Sequence, residues 1–337
     1  MSTAEPHAQQ APHEAAGMTG NDLHKLYYFM RLTRAVEDRV RRLYLQGRLQ
    51  GAVYSSRGQE GTAVASAYAL RDGDFVAPLI RDLGASFTRG VEPRHVFAQW
   101  LGRCGGLSGG RDGNLHFGDL AHGVLPPISM LGAAIPLCAG IGLASRQHGS
   151  DRVALTYIGD GGTNTGDFHE GLNFAAVLRL PLVLIVEDNG FAYSTPVARH
   201  VAIQNFAERG AAYGVPSLTV DGNDVVRVYQ ATKVAVDRAR DGGGPTLIEA
   251  KTFRMRGHAE HDDAAYVPRD LIAHWEERDP IQLLIRYTDD HGLLDAAARS
   301  ETDDRIEQEI ELALEWAQNS PLPDGKLQTE GVYATPV

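Results

Sequence analysis

Two apolar, β-branched runs, Val153 to Ile158 and Leu182 to Val186, each stop at a polar cluster, Gly159-Asp160-Gly161-Gly162 and Glu187-Asp188-Asn189-Gly190. Short runs bounded by glycine read as buried strands of a parallel sheet, the first ending in a turn that needs unusual backbone angles. Between them, from Asp167 to Leu178, Phe168, Leu172 and Ala175-Ala176 recur at helical spacing, so strand, crossover helix and strand form one unit. The right-handed crossover puts both clusters at the carboxyl ends of neighbouring strands, where Asp160 and Asn189 face one crevice.

The same alternation continues as a strand at Ser217 to Val220, a helix from Val225 to about Arg240, and a strand at Thr246 to Phe253. This pattern predicts a doubly wound, mainly parallel α/β sheet. Before it, Asn21 is the expected N-cap of a long helix to about Gln46, with an Arg-rich face expected to be solvated. A second, small-residue helix is expected from Arg57 to Leu70. The stretch from Phe75 to Gly90 shows little periodicity. Gly102 to Gly118 holds seven glycines and reads as an ordered loop, and Pro127 to Gly140 leads into a helix through Arg146. From Arg269 the spacing is helical, at Leu271 to Glu276, Ile281 to Tyr287 and Thr302 to Asn319. The expected organisation is a disordered segment (1–20), an α/β domain (21–268), a helical C-terminal extension (269–323) and an extended tail (324–337) reaching toward a partner.

Composition narrows the classes. The 337 residues, 43% hydrophobic, fill one large α/β domain with appendages. A net charge of -11 argues against nucleic acid, and no run is long enough for a membrane span. With two cysteines, Cys104 and Cys138, a disulfide framework is not expected and a reducing cytoplasm is the default. The first twenty residues lack a signal peptide's apolar core and a transit sequence's arginines.

The two clusters bring a carboxylate and an amide oxygen beside glycine amides at a helix start. Such a set suits Mg²⁺, which takes octahedral oxygen and often shares its shell with a diphosphate, while the amides of Gly161 and Gly162 receive phosphate oxygens. A further cluster, Arg254-Met255-Arg256-Gly257-His258-Ala259-Glu260-His261-Asp262-Asp263, follows the last strand into the same crevice. Its two His and two Asp are ordinary metal-ligand types, without the spacing of a specific zinc motif.

The Gly-Asp-Gly cluster followed one strand later by Asp188-Asn189 resembles the thiamine-diphosphate motif, and the surrounding sequence is similar to the alpha subunit of the decarboxylating component of 2-oxo acid dehydrogenase complexes. That resemblance covers roughly residues 22 to 320. It implies that Asp160, Asn189 and the carbonyl of Phe191 hold Mg²⁺, that Arg81 grips the terminal phosphate of thiamine diphosphate, and that the backbone at Ser129 and Leu131 holds the aminopyrimidine. It implies His258 as the catalytic acid/base, with Asp262 or Asp263 orienting its loop, and places His116, which could equally be structural, near the site's mouth. The chain departs from the family at Asp188, where the first Asn is usual, at Ile80, where the family has Tyr, and at Ala259, often a phosphorylated Ser. Asp188→Asn is expected to be nearly neutral, and His261 is expected to pack the loop rather than catalyse.

The resemblance further implies a beta subunit in an α₂β₂ heterotetramer, a lipoyl-bearing acyltransferase partner and a small 2-oxo acid substrate, with acetoin as the alternative. The Glu that activates the cofactor lies on the beta subunit in that family, and the chain is too short to add a second domain of similar size. A non-catalytic cofactor-binding subunit is the rival class. A nicotinamide dehydrogenase is disfavoured because Gly-Asp-Gly-Gly lacks the dinucleotide fingerprint.

Overall fold

The computed structural model describes residues 11–49 and 51–326. Its strands are β1 Phe75–Ala77, β2 Ala154–Gly159, β3 Leu182–Asp188, β4 Phe191–Ala192, β5 Thr195–Pro196, β6 Ser217–Asp221 and β7 Thr246–Lys251. Five of them form the central parallel sheet, in the order β1-β2-β3-β7-β6. β4 and β5 make a small antiparallel hairpin beyond the end of β3. Nearly every residue of β2 and β3 is buried. Burial on both faces is why these runs are continuously apolar and not alternating.

One face of the sheet packs on the helices Gly20–Leu45, Pro93–Trp100 and Ala296–Asn319 through Val40, Phe97, Leu155 and Ile310; the other packs on Ala134–Gln147 and Gly166–Val177 through Ile135, Ile158, Phe168 and Leu172. Parallel register puts the strand ends level, pairing Gly159 with Glu187 and Asp188 with Lys251. The residues that follow β1, β2, β3 and β7 therefore emerge along one edge.

The structure corrects several expectations. Thr19, not Asn21, caps the long helix: its hydroxyl accepts from the Asp22 amide while the Asp22 carboxylate accepts from the Thr19 amide. Residues 12–15 form a short helix, with His13 buried beside Tyr287, so the second half of the segment expected to be disordered is folded. Residues 1–10, and the tail from 327, lie outside the described residues.

The Arg-rich helix face is not merely solvated. Arg34 is buried between Glu60 and Asp279 at 2.7 and 2.6 Å, Arg31 meets Asp303 at 2.9 Å, and Arg39 meets Glu311. These pairs fix the helix to its neighbours; the Arg34 pairs are buried, and removing one partner of such a pair costs about 3–5 kcal/mol. The weakly periodic stretch from Phe75 contains β1 and the helix Leu83–Thr88.

Candidate active site

The residues that the family resemblance assigns to cofactor, metal or catalysis line one cavity of about 550 Å³: Arg81, Ser129, Leu131, Asp160, Gly161, Gly162, Asn189, Phe191 and His258. Leu79, Ile80 and His116 join them there, as do Tyr54, Glu187, Tyr193 and Arg254, to which the sequence reading gave no role.

Asp160 follows β2 and begins a 3-10 turn, Asp160–Asn164, directly before the helix Gly166–Val177. Neither Gly161 nor Gly162 has a left-handed backbone, contrary to the expectation of unusual angles. Space is the reason for both. A Cβ on Gly161 would lie 2.5 Å from the Cβ of Ala192, and one on Gly162 would lie 2.5 Å from Cδ1 of Ile158. One carboxylate oxygen of Asp160 accepts from the Gly161 amide; Oδ2 is buried with no hydrogen-bond partner. Burial, and then the charge of Asp188, push the Asp160 carboxyl up to about 6. A buried carboxylate oxygen left without a donor is the kind of group a cation would satisfy. The Oδ1 of Asn189 and the carbonyl of Phe191 belong to the adjoining turn, where the Phe191 amide donates to Asn189 Oδ1 at 3.3 Å. These oxygens fit a hard divalent cation.

Asp188, whose side chain was expected not to touch the ion, has partners of its own. Its Oδ2 lies 2.7 Å from the ammonium of Lys251, and its Oδ1 accepts from the Gly190 amide at 3.2 Å.

Arg81 follows β1, and its guanidinium is buried. It donates to the Ser55 carbonyl at 3.3 Å, to Nδ1 of His258 at 3.1 Å and to the His258 carbonyl, and lies 5.3 Å from the centre of the Tyr54 ring. Arg254 follows β7, also buried, donating to the Tyr193 carbonyl and the Tyr266 hydroxyl at 2.9 Å each. Among the described residues neither guanidinium has a carboxylate in salt-bridge distance, although both are removed from water. Burial, and then the like charge of Arg254, pull Arg81 down to about 10. Two buried cationic forks without a counter-ion form a ready anion site.

His258 sits between the rings of Tyr54 and Tyr193, at 5.6 and 4.4 Å, with its backbone amide held by Asp262 at 2.6 Å. Burial, then Arg81 and Arg254, push it down to about 4, so it is neutral at physiological pH. Because Arg81 donates to Nδ1, the ring proton is assigned to Nε2. His261 is exposed and does not line the cavity. Among the described residues no three His, Cys, Asp or Glu side chains gather to hold a metal, those of this loop included.

At the mouth, His116 Nε2 meets Ser129 Oγ at 2.7 Å and its Nδ1 meets Asp112 at 3.0 Å. Met130 and Leu131, on the same rim, are 68% and 53% exposed. Deeper in, Glu187 is buried and accepts from the Gln59 side-chain amide at 3.2 Å; burial, and then the charge of Asp82, push its carboxyl well above the usual carboxylate range. Behind Arg81, the buried Glu37 accepts from the Ser55 hydroxyl at 2.9 Å and from the Ser56 amide, clamping the turn whose carbonyl receives Arg81. Arg254 was legible in position, as the first residue beyond a strand end. Tyr54 gave no signal, since it sits in an aperiodic segment and reaches the cavity only through packing.

Comparison with known proteins identifies the family. Residues 28–326 match the Dehydrogenase E1 component family. The alpha subunit of acetoin:2,6-dichlorophenolindophenol oxidoreductase from Bacillus subtilis (strain 168) is 38% identical over 316 residues, covering 92% of this chain and 93% of that protein. The 2-oxoisovalerate dehydrogenase subunit alpha of the same organism is 35% identical over 325 residues, covering 96% and 98%. The pyruvate dehydrogenase E1 component subunit alpha of Rhizobium meliloti (strain 1021) is 36% identical over 301 residues, covering 89% and 86%. A match of this extent, to the family and to full-length relatives alike, places the chain in the dehydrogenase E1 component family as an alpha-type subunit.

Proposed function

We propose that the chain binds thiamine diphosphate with Mg²⁺ and, with a beta subunit, decarboxylates a 2-oxo acid and passes the acyl group to a lipoyl-lysine. The observation that carries this reading is the charge layout of one cavity: two buried guanidinium groups without counter-ions among the described residues, and a buried Asp160 oxygen without a donor. A diphosphate bridged to a divalent cation complements both. Membership of the family implies thiamine diphosphate as cofactor.

When bound, thiamine diphosphate supplies the carbon nucleophile and electron sink that decarboxylation requires. Arg81 and Arg254 would hold the phosphates, with the Gly162 amide, and the Gly161 amide where it leaves Asp160, adding neutral donors. Asp160, Asn189 and the Phe191 carbonyl would hold Mg²⁺. His258 holds a proton at Nε2 and can donate it to a reacting oxygen; anionic phosphate at Arg81 would raise its basicity toward the range useful for acid/base work. Leu79, Ile80 and Leu131 give the cavity an apolar wall suited to an alkyl side chain.

The exposed Met130 and Leu131 at the rim support completion of the site by a partner chain, and the relatives are named as alpha subunits. Pairing in an α₂β₂ heterotetramer, the lipoyl acyltransferase and a cytoplasmic location belong to the same proposal. No helix among the described residues is long and apolar enough to cross a membrane. A second reading, acetoin as substrate, is favoured by the 38% identity to an acetoin-oxidising relative. Rates of the reconstituted alpha and beta subunits on pyruvate, branched-chain 2-oxo acids and acetoin separate the two readings. Turnover by beta-free chain would contradict the subunit assignment.

A further inference from the structure

β3 and β7 end side by side with Asp188 opposite Lys251 in register, one residue before Asn189. Lys251 Nζ lies 2.7 Å from Asp188 Oδ2 and 2.7 Å from Glu249 Oε1. Glu249 is held independently: its Oε2 accepts from the Ala207 amide at 3.1 Å and the Thr219 hydroxyl at 2.8 Å. Lys251 is thus anchored on one side and reaches Asp188 on the other. It is the cation in salt-bridge distance of Asp188 among the described residues. Asp188 is 8% exposed, where a carboxylate is costly without a counter-charge. Its charge is also felt at Asp160, across the strand ends. Where the related motif has an uncharged amide, this chain has a carboxylate, and its cross-strand neighbour is a lysine.

We propose that Lys251 is a positioning residue matched to Asp188, offsetting its charge so that the cation subsite at Asp160, Asn189 and Phe191 feels the second carboxylate less. The inference rests on the reading that those three groups hold a divalent cation. Each half of the pair is then unfavourable without the other. Asp188→Asn removes a carboxylate near the cation and leaves Lys251 paired with Glu249 alone, and Lys251→Gln leaves the charge of Asp188 unscreened. The two single variants therefore shift cation affinity in opposite directions, and the double variant restores it.

The test is calorimetric titration of Mg²⁺ into the full chain assembled with its beta subunit, at low ionic strength and saturating thiamine diphosphate. Thermal melts check that each variant is folded. Asp188→Asn is expected to weaken Mg²⁺ binding by about tenfold and Lys251→Gln to tighten it, with Asp188→Asn/Lys251→Gln within about twofold of the parent. Additive weakening in both single variants, the mark of a purely structural pair, would overturn the proposal. So would an Asp188→Asn variant that binds Mg²⁺ as the parent does. If Lys251→Gln does not fold, the double variant decides: recovery of the affinity lost in Asp188→Asn supports the match, and a double variant as weak as Asp188→Asn overturns it. Asp160→Ala separates the two levels. Mg²⁺ binding that survives Asp160→Ala overturns the cation reading and the match together, whereas its loss in Asp160→Ala alongside weakening in both Asp188→Asn and Lys251→Gln overturns the match alone.

Discussion

The guanidinium of Arg81 lies 3.1 Å from Nδ1 of His258 and donates to the carbonyl of the same residue. The candidate phosphate grip and the candidate acid/base are therefore one unit. This contact occupies the Nδ1 lone pair and, after burial, is the largest influence holding the imidazole down to about 4. Arg81→Met is expected to move His258 back toward its ordinary value, read by NMR titration of the ring protons. An unchanged titration would show that burial alone sets it.

His258 and His261 should separate cleanly. His258→Ala, assayed with the beta subunit, is expected to leave cofactor affinity within a few-fold but to cut acyl transfer by about 10² to 10⁴, the usual span for a lost general acid or base. His261→Ala should leave both nearly unchanged, because its side chain is exposed and outside the cavity. The opposite pattern in lipoamide-linked rates would move the role to His261.

The two glycines of the turn should differ in tolerance. A methyl on Gly161 meets the Cβ of Ala192, which moves only with its backbone, whereas one on Gly162 meets the far end of the Ile158 side chain, which can turn away. Gly161→Ala is expected to cost about 1–3 kcal/mol and to weaken cofactor binding, with Gly162→Ala milder on both counts. Denaturant melts and cofactor titrations of the two variants check the order, and equal effects would contradict it.

Glu37 supplies a pH signature. Burial, and then the charge of Glu60, push its carboxyl up to about 8. A carboxyl raised on folding binds more protons folded than unfolded. Its contribution is therefore present at acid pH and is lost as pH rises from its unfolded value near 4.5 through about 8. Glu37→Gln should melt close to the parent near pH 5 and above it near pH 8. Parallel melting curves across that window would rule out a titrating Glu37.

Much of this was legible because the chemistry sits where the sequence pattern changes. The β-branched runs before Asp160 and Asn189 give strands, crossover and shared crevice together, and the structure places both residues on one cavity. The Arg-rich face of the first long helix was not legible. Arg34 reads as a surface residue until Glu60 and Asp279, distant in sequence, converge on it. The same limit hid Tyr54, brought to Arg81 by packing, and Lys251, whose link to Asp188 depends on the register of two strands with β4, β5 and β6 between them in sequence. Local periodicity determines elements; partners arriving from far along the chain require the assembled fold.

The central claim is that this cavity holds a diphosphate and a divalent cation together. It is tested most directly by titrating thiamine diphosphate into the full chain assembled with its beta subunit, with Mg²⁺ or with a chelator, for the parent and Asp160→Ala. Tight binding that needs Mg²⁺ and is lost in Asp160→Ala is the predicted result. Binding of equal strength under chelation, or in Asp160→Ala with Mg²⁺ present, would contradict it.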